Sequence, residues 1–373
     1  MSKSVAFRRP LYMVEVFVGV LAVLLAVVPL RPRWVEEWYS TALYPRIERL
    51  LTPASNSLPF AVLDVLLVVT VIAVFVVLAH ALRETWRTRT VRRLARTLAH
   101  LAAAAASLYI LFLLLWGFNY RRVSMANRLV IERAAPSSNQ VVELGLTAVN
   151  EMNRLYAAAH EQQGTRVEWQ DVALRNAFAD IERVLSDAPL IEPGRLKHSV
   201  LGPYFRWTGV DGMVNPFGLE VIANPDLLPF ERPFVAAHEW SHLAGYANEA
   251  EANFIGWLTC IRALPPHQYS GWLFLYWQIN GEVNAQERTR LSAALAEGPR
   301  RDISAIVARL RRGEIPALQQ ASWQVYDKYL KANRVESGVR SYSEVVTLLL
   351  RARFERGWVP VRRPSPPATA ATR

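Results

Sequence analysis

Residues 234–254 read FVAAHEWSHLAGYANEAEANF, and within them His238, Glu239 and His242 spell H-E-x-x-H. On a helix the i, i+4 spacing puts both imidazoles on one face, one turn apart, where they can share a tetrahedral metal ion. Glu239 then stands beside them, placed as a general base toward water. Imidazole and carboxylate donors with no thiolate nearby favour Zn2+, and the chemistry implied is metal-assisted hydrolysis. Five letters are a short pattern, so its surroundings matter. Phe234, Val235, Ala236, Ala237, Trp240 and Leu243 make the segment mostly apolar, and a His-Glu-His face on such a helix is costly to bury without partners. Pro233 suits the first helical turn.

A catalytic zinc takes three protein ligands and keeps one position open. On an unbroken helix Glu249 would lie about 10 Å beyond His242, too far to share its metal. Gly245 allows the chain to turn back, and a second helix starting near Asn248 brings an acidic side chain to the site. Glu249 and Glu251 compete for that role. Two positions apart, they are separated by about 200° on a helix, so only one can face the metal. Asn253 shares the face of Glu249 and could hydrogen-bond a ligand, which makes Glu249 the expected third ligand.

Other roles can be sought by type. A peptidase holds its substrate as an added β-strand along a sheet edge, and GLEVIAN, residues 218–224, offers either that edge or a plain structural strand. Tyr326, Tyr329 and Tyr342 are candidate oxyanion donors, with surface packing as the alternative. His160, His198 and His267 have no partner at ligand spacing. The single cysteine, Cys260, cannot form an intramolecular disulfide and reads as an apolar filler.

The elements that must carry this site start with apolar segments. The chain has 373 residues, 52% of them hydrophobic, with a mean hydropathy of +0.10. Leu11–Leu30, Leu58–Leu82 and Leu98–Phe118 each reach the roughly 20 apolar residues that cross a bilayer core of about 30 Å. Glu15, Asp64 and His100 fall near segment ends, within reach of headgroups. The first segment ends in VVPLRPRW with no small-residue cleavage pattern, which favours an uncleaved anchor over a signal peptide. The loop RETWRTRTVRRLAR carries six arginines against one glutamate, and the first ten residues carry Lys3, Arg8 and Arg9 with no acid. The positive-inside rule places both in the cytoplasm and the metal site outside it. These two short segments hold most of the net charge of +11, so the basic balance gives no support to a nucleic-acid partner.

Beyond residue 118 the pattern becomes that of a mainly helical domain, interrupted between Pro193 and Pro225 by short β-prone runs. SSNQVVELGLTAVNEMNRLYAAAHEQQ opens on a serine cap. The Pro- and Ala-rich residues 361–373 read as a disordered tail.

HEWSH, Gly245 and EAEANF, together with NPFGLE upstream and YDKYLKANRVESGVRSYSEVVTLLL downstream, resemble a bacterial membrane-anchored zincin-like family catalogued as a domain of unknown function. More broadly, Glu249 followed by Asn253 is similar to gluzincin peptidases, whose third ligand is a Glu with Asp or Asn four residues later. The metzincin pattern is not matched, since Asn248 occupies its third ligand position. The resemblance implies a zincin fold and a zinc peptidase.

The expectation is a mainly α (α+β) protein. Residues 1–118 form a membrane domain with three transmembrane helices, and residues 119–360 form a zincin-like, extracytoplasmic hydrolase domain with a small β element. The function expected is that of a multi-pass membrane zinc metallopeptidase acting on a peptide or protein substrate at the lipid bilayer. Zn2+ is held by His238, His242 and Glu249, and Glu239 is the catalytic base. A zinc hydrolase of a non-peptide envelope substrate and a non-catalytic envelope scaffold are the alternatives. The intact Glu239 argues against the scaffold, because a structural site closes with four protein ligands and has no use for a base.

Overall fold

The computed structural model describes residues 8–161, 171–335, 338 and 344–364. Tyr342 and residues 365–373 of the tail lie outside the described residues.

Runs of valine, leucine and alanine without internal proline propagate as long helices, and such helices satisfy every backbone group within the segment. Helix α1 spans Arg8–Val27, α3 spans Val62–Thr88 and α4 spans Arg92–Leu115. Helices α3 and α4 are long and apolar enough to cross a membrane. A third crossing counts α1 with the segment after it as one element, bent by 111°. Glu15 and His100 pair side chain to side chain in the first half of α1 and α4, and Arg121, just past α4, meets Leu25 near the end of α1, so these helices run in the same direction.

Past the bend, a short helical stretch (Pro32–Trp34), a π-helical stretch (Val35–Leu43) and α2 (Tyr44–Asn56) form one continuous arm. Its inner face carries Val35, Tyr39 and Tyr44 into the main hydrophobic core. Its outer face leaves Trp34, Trp38, Leu43 and Leu50 exposed. The polar inner residues of α2 bond the globular part directly: Thr52 donates to the Leu219 carbonyl at 2.8 Å and Asn56 to the Pro193 carbonyl at 3.1 Å.

The globular part is built of helices α5 (Ser138–Glu161), α6 (Val172–Leu185), α7 (Gly202–Thr208), α8 (Arg232–Leu243), α9 (Glu249–Arg262), α10 (Pro265–Glu282), α11 (Ala285–Ala294), α12 (Glu297–Gly313), α13 (Pro316–Ala332) and α14 (Glu344–Arg351). Ser137 caps α5: its hydroxyl accepts from Gln140 N at 3.3 Å while the Gln140 side chain accepts from Ser137 N at 2.9 Å, a reciprocal cap that satisfies two otherwise orphaned donors. Helices α8, α9 and α10 pack around Trp240, Trp257, Phe254 and Tyr269, all fully buried.

Three short strands, β1 (Leu196–Lys197), β2 (Gly212–Asn215) and β3 (Glu220–Ala223), form a sheet in the order β1-β3-β2. Strand β3 pairs in parallel with β1 and antiparallel with β2. The GLEVIAN run therefore supplies the central strand, buried on both faces, and is not the open edge considered for a substrate. That edge is β2. Strand β3 takes the central place because its continuous apolar run, Val221-Ile222-Ala223, suits burial on both faces of the sheet. A two-stranded ribbon, β4 (Phe354–Glu355) with β5 (Val359–Pro360), closes the far side.

All three apolar helices are bonded to this globular part at one end. The Glu220 carboxylate accepts from Val62 N at 2.9 Å and Leu63 N at 2.8 Å, capping α3 with a negative charge where the helix dipole favours one. It also accepts from Lys197 Nζ at 2.8 Å, and this ion pair is buried. Asp64 accepts from the Ser199 hydroxyl at 2.5 Å and from Val200 N at 3.0 Å, which gives the acidic residue at that segment end a docking role. Arg121 donates to the Leu25 carbonyl at 2.6 Å at the end of α1.

Candidate metal centre

Helix α8 starts with Pro233 in its first turn and stops at Gly245, whose φ is +80°. Gly245 N donates to the His242 carbonyl at 3.0 Å and Tyr246 N to the Ser241 carbonyl at 3.0 Å. A side chain at 245 would be strained by that φ, and its Cβ would lie 2.8 Å from Asn119 Oδ1. Asn248 then caps α9, its side chain accepting from Glu251 N at 3.2 Å. The position that a metzincin would use as ligand is thus a helix cap. The two helices fold back on each other and bring His238, His242 and Glu249 into one cluster, with one ligand atom of each within 4.8 Å of the others.

Glu249 Oε2 lies 3.4 Å from His238 Nε2 and 3.5 Å from His242 Nε2. Donor atoms about 2.0–2.1 Å from a tetrahedral ion are about 3.3 Å apart, so these separations fit a shared divalent cation. They are long for hydrogen bonds, and Glu249 Oε2 has no hydrogen-bond partner. His238 Nδ1, Glu239 Oε2 and Asn253 Nδ2 are buried and likewise unpartnered. Orphaned buried polar atoms are individually costly; of these four, the oxygens of Glu249 and Glu239 are acceptors that a cation and its bound water satisfy.

The competing acid, Glu251, points away. Its Oε1 accepts from Met125 N at 2.6 Å, so it holds the chain after α4 and not the histidines. Asn253 lies one turn after Glu249 and lines the cleft beside His238, but its amide nitrogen bonds neither the carboxylate nor an imidazole.

His242 is oriented from behind: its Nδ1 faces the Tyr246 carbonyl at 2.8 Å, which leaves Nε2 for the cluster. Burial lowers the affinity of His242 for a proton, but Glu249 and Glu239 outweigh it and raise the group to about 9. Burial likewise opposes the ionised form of Glu249, yet His242 and His238 hold it well below the usual carboxylate range. Glu239 is 3% exposed, and burial pushes its carboxyl upward against the pull of both histidines. A base raised toward neutrality can both take and return a proton.

Edge strand β2 runs against this base. A Cβ on Gly212 would lie 2.5 Å from Glu239 Oε1, so only glycine permits the approach. Beside it opens a cleft of about 420 Å³ that includes His238, Glu239, Phe234, Leu273, Trp277 and Trp323. Arg309, buried at the cleft wall, pairs with Asp211 at 3.0 Å and Glu231 at 2.7 Å.

Of the tyrosines, Tyr326 donates its hydroxyl to Glu249 Oε1 at 2.5 Å. This places it on the expected ligand and not at an oxyanion position. Tyr329 stacks on Tyr326 and meets the Tyr120 hydroxyl at 3.5 Å. His267 is closed by Asp171 at 2.9 Å, His160 lies 3.2 Å from Asp302, and His198 is exposed. Cys260 is buried, and burial raises its thiol.

Residue spacing did not point to Gly212, Arg309, Asp211 or the Tyr246 carbonyl. A glycine in a β-prone run was the one available signal, since it marks close backbone approach.

No curated protein and no solved structure matches this chain. A family model described as "Protein of unknown function (DUF3810)" matches residues 39–350, most of the chain and both the apolar helices α3 and α4 and the His-Glu cluster. The chain belongs to that family.

Proposed function

We propose that the protein is a membrane-bound metallopeptidase of the gluzincin type, which hydrolyses peptide bonds outside the cytoplasm. The observation that carries this reading is the convergence of His238, His242 and Glu249 with an unpartnered carboxylate oxygen on Glu239, beside the open edge of β2. Zn2+ suits the donor set. A divalent ion held there supplies Lewis-acid activation of water and of a carbonyl.

The chain's own residues divide the remaining work. The open edge of β2 aligns an extended substrate by backbone hydrogen bonds. Glu239 takes a proton from the attacking water as its oxygen bonds to the carbonyl carbon. The same carboxyl then passes that proton to the departing nitrogen, the C–N bond breaks, and a carboxylate and an amine leave. Tyr326 holds Glu249 in place through its second oxygen. The apolar cleft walls exclude bulk water, which strengthens every charge interaction within.

The test is metal analysis of the purified full chain together with a proteomic comparison of membranes carrying wild type and Glu239→Gln. Stoichiometric zinc in both, with peptide products lost in the variant by several orders of magnitude, is the expected result. Identical product profiles would remove the peptidase reading.

A further inference from the structure

The metal cluster is built directly onto the ends of the apolar helices. Helix α4 ends at Leu115, and the next residue, Trp116, donates its indole N–H to the His242 carbonyl at 3.0 Å. The two rings lie 6.4 Å apart. A second path reaches the same place from α1. Arg334, just past the end of α13, donates to the carbonyls of Ala26, Val27 and Val28 at 3.4, 3.2 and 3.2 Å. Eight residues back along α13, about 12 Å at 1.5 Å per residue, Tyr326 holds Glu249. Between them Tyr329 lies against Phe112 of α4, ring centroids 6.4 Å apart.

Both paths fasten the cluster to residues at the ends of α1 and α4. The arm after α1 marks that plane independently. Trp34 and Trp38 are 64% and 72% exposed and Leu50 is 72% exposed, with Arg31, Arg33, Arg46 and Arg49 exposed around them. Tryptophan and arginine on an amphipathic arm continuous with a span are the composition that settles among headgroups. Headgroups add about 5–8 Å to each side of the hydrocarbon. The cluster is therefore held next to the ends of the apolar helices and beside the arm whose composition suits the headgroup layer, so a chain anchored in the same bilayer starts close to Glu239.

We infer that the substrate is a polypeptide held in the same membrane by its own anchor and cut in the segment that immediately follows that anchor. This rests on the peptidase reading. The open edge of β2 beside Glu239 favours a polypeptide over a lipid-linked glycan, because a strand edge recognises peptide backbone.

The test uses the full chain in vesicles co-reconstituted with anchored probes and reads products by mass spectrometry. One pool carries a randomised ten-residue segment immediately after a single transmembrane helix. A second carries the same segment beyond a helical EAAAK-repeat spacer of about 30 residues, roughly 45 Å when helical. The membrane-proximal pool should be cut at least tenfold faster, and Glu239→Gln should cut neither. Equal cutting of both pools, or faster cutting of the distal one, with both lost in Glu239→Gln, would overturn this inference and leave the peptidase reading standing. No peptide cleavage in either pool, or release of saccharide from a lipid-linked glycan in the same vesicles without peptide products, would overturn both.

Discussion

The set around His238 and His242 and the pair of His267 with Asp171 use the same residue types and differ in what is left over. At the foot of α10, His267 Nε2 meets Asp171 at 2.9 Å and His267 Nδ1 accepts from Leu264 N at 3.2 Å, so both ring nitrogens are used. Asp171 also caps α6 by accepting from Leu174 N at 3.0 Å. That set is a staple between two helix N-termini. Around His238 and His242 the same residue types leave His238 Nδ1, Glu239 Oε2 and Glu249 Oε2 without partners. The same residue types thus make a closed staple in one place and leave acceptors unspent in the other.

The largest effect that could break this contrast is at Glu249. Glu249→Ala should lower zinc affinity by on the order of a hundredfold or more, since even outer partners of metal ligands are worth 10–100-fold. Glu251→Ala should leave it nearly unchanged and cost only stability, by releasing Met125 N. Zinc titration of both variants decides, and the reverse pattern would move the ligand role to Glu251.

Next in size is Gly212→Ala. A Cβ 2.5 Å from Glu239 Oε1 must push the base aside, and a displacement near 1 Å can cost about a hundredfold in rate. The expected signature is a lower kcat at full metal content. An unchanged kcat would show that Glu239 does not act from this position.

His267→Ala sharpens the contrast from the other side. It should cost about 1–3 kcal/mol of stability by leaving Asp171 half-satisfied, with metal content and rate per folded molecule intact. Loss of metal in that variant would mean the two sets are coupled.

The last test concerns buried carboxylates with no histidine near, and its effect is spread over several pH units. Glu182 Oε2 is buried without a partner, and the charge of Glu48 opposes its ionisation. Burial raises Glu48 from its ordinary 4.5 to about 8. Between those values the folded state keeps a proton that the unfolded state has lost, so stability falls as pH rises through the window. Glu48→Gln should remove up to about 1.4 kcal/mol per pH unit of that slope, read as unfolding midpoints from pH 5 to pH 8. A slope identical to wild type would show that Glu48 ionises normally.

Much of the site was legible in the residues because it depends on short-range geometry. The i, i+4 histidines, the turn at Gly245 and the 200° between Glu249 and Glu251 are properties of a helix and one glycine. The apolar helices were legible for the same reason, since hydropathy acts residue by residue. The role of GLEVIAN was not: which strand becomes an edge depends on what pairs with it, and β1 comes from residues 196–197. Tyr326 likewise resolved only as one aromatic among several until α13 laid its hydroxyl on Glu249.

The sequence by itself determined the metal-binding spacing, the helical character and the apolar segments, because each is encoded within one or two turns of chain. Only the tertiary structure decided that the arm of residues 31–56 joins the main core, that Gly212 abuts the base, and that Trp116 fastens the end of α4 to the carbonyl of His242. Trp116 and His242 are 126 positions apart, and Tyr44 of the arm meets Leu243 across 199. Close packing selects such pairs by shape across the whole core, and no local pattern of residues carries that information.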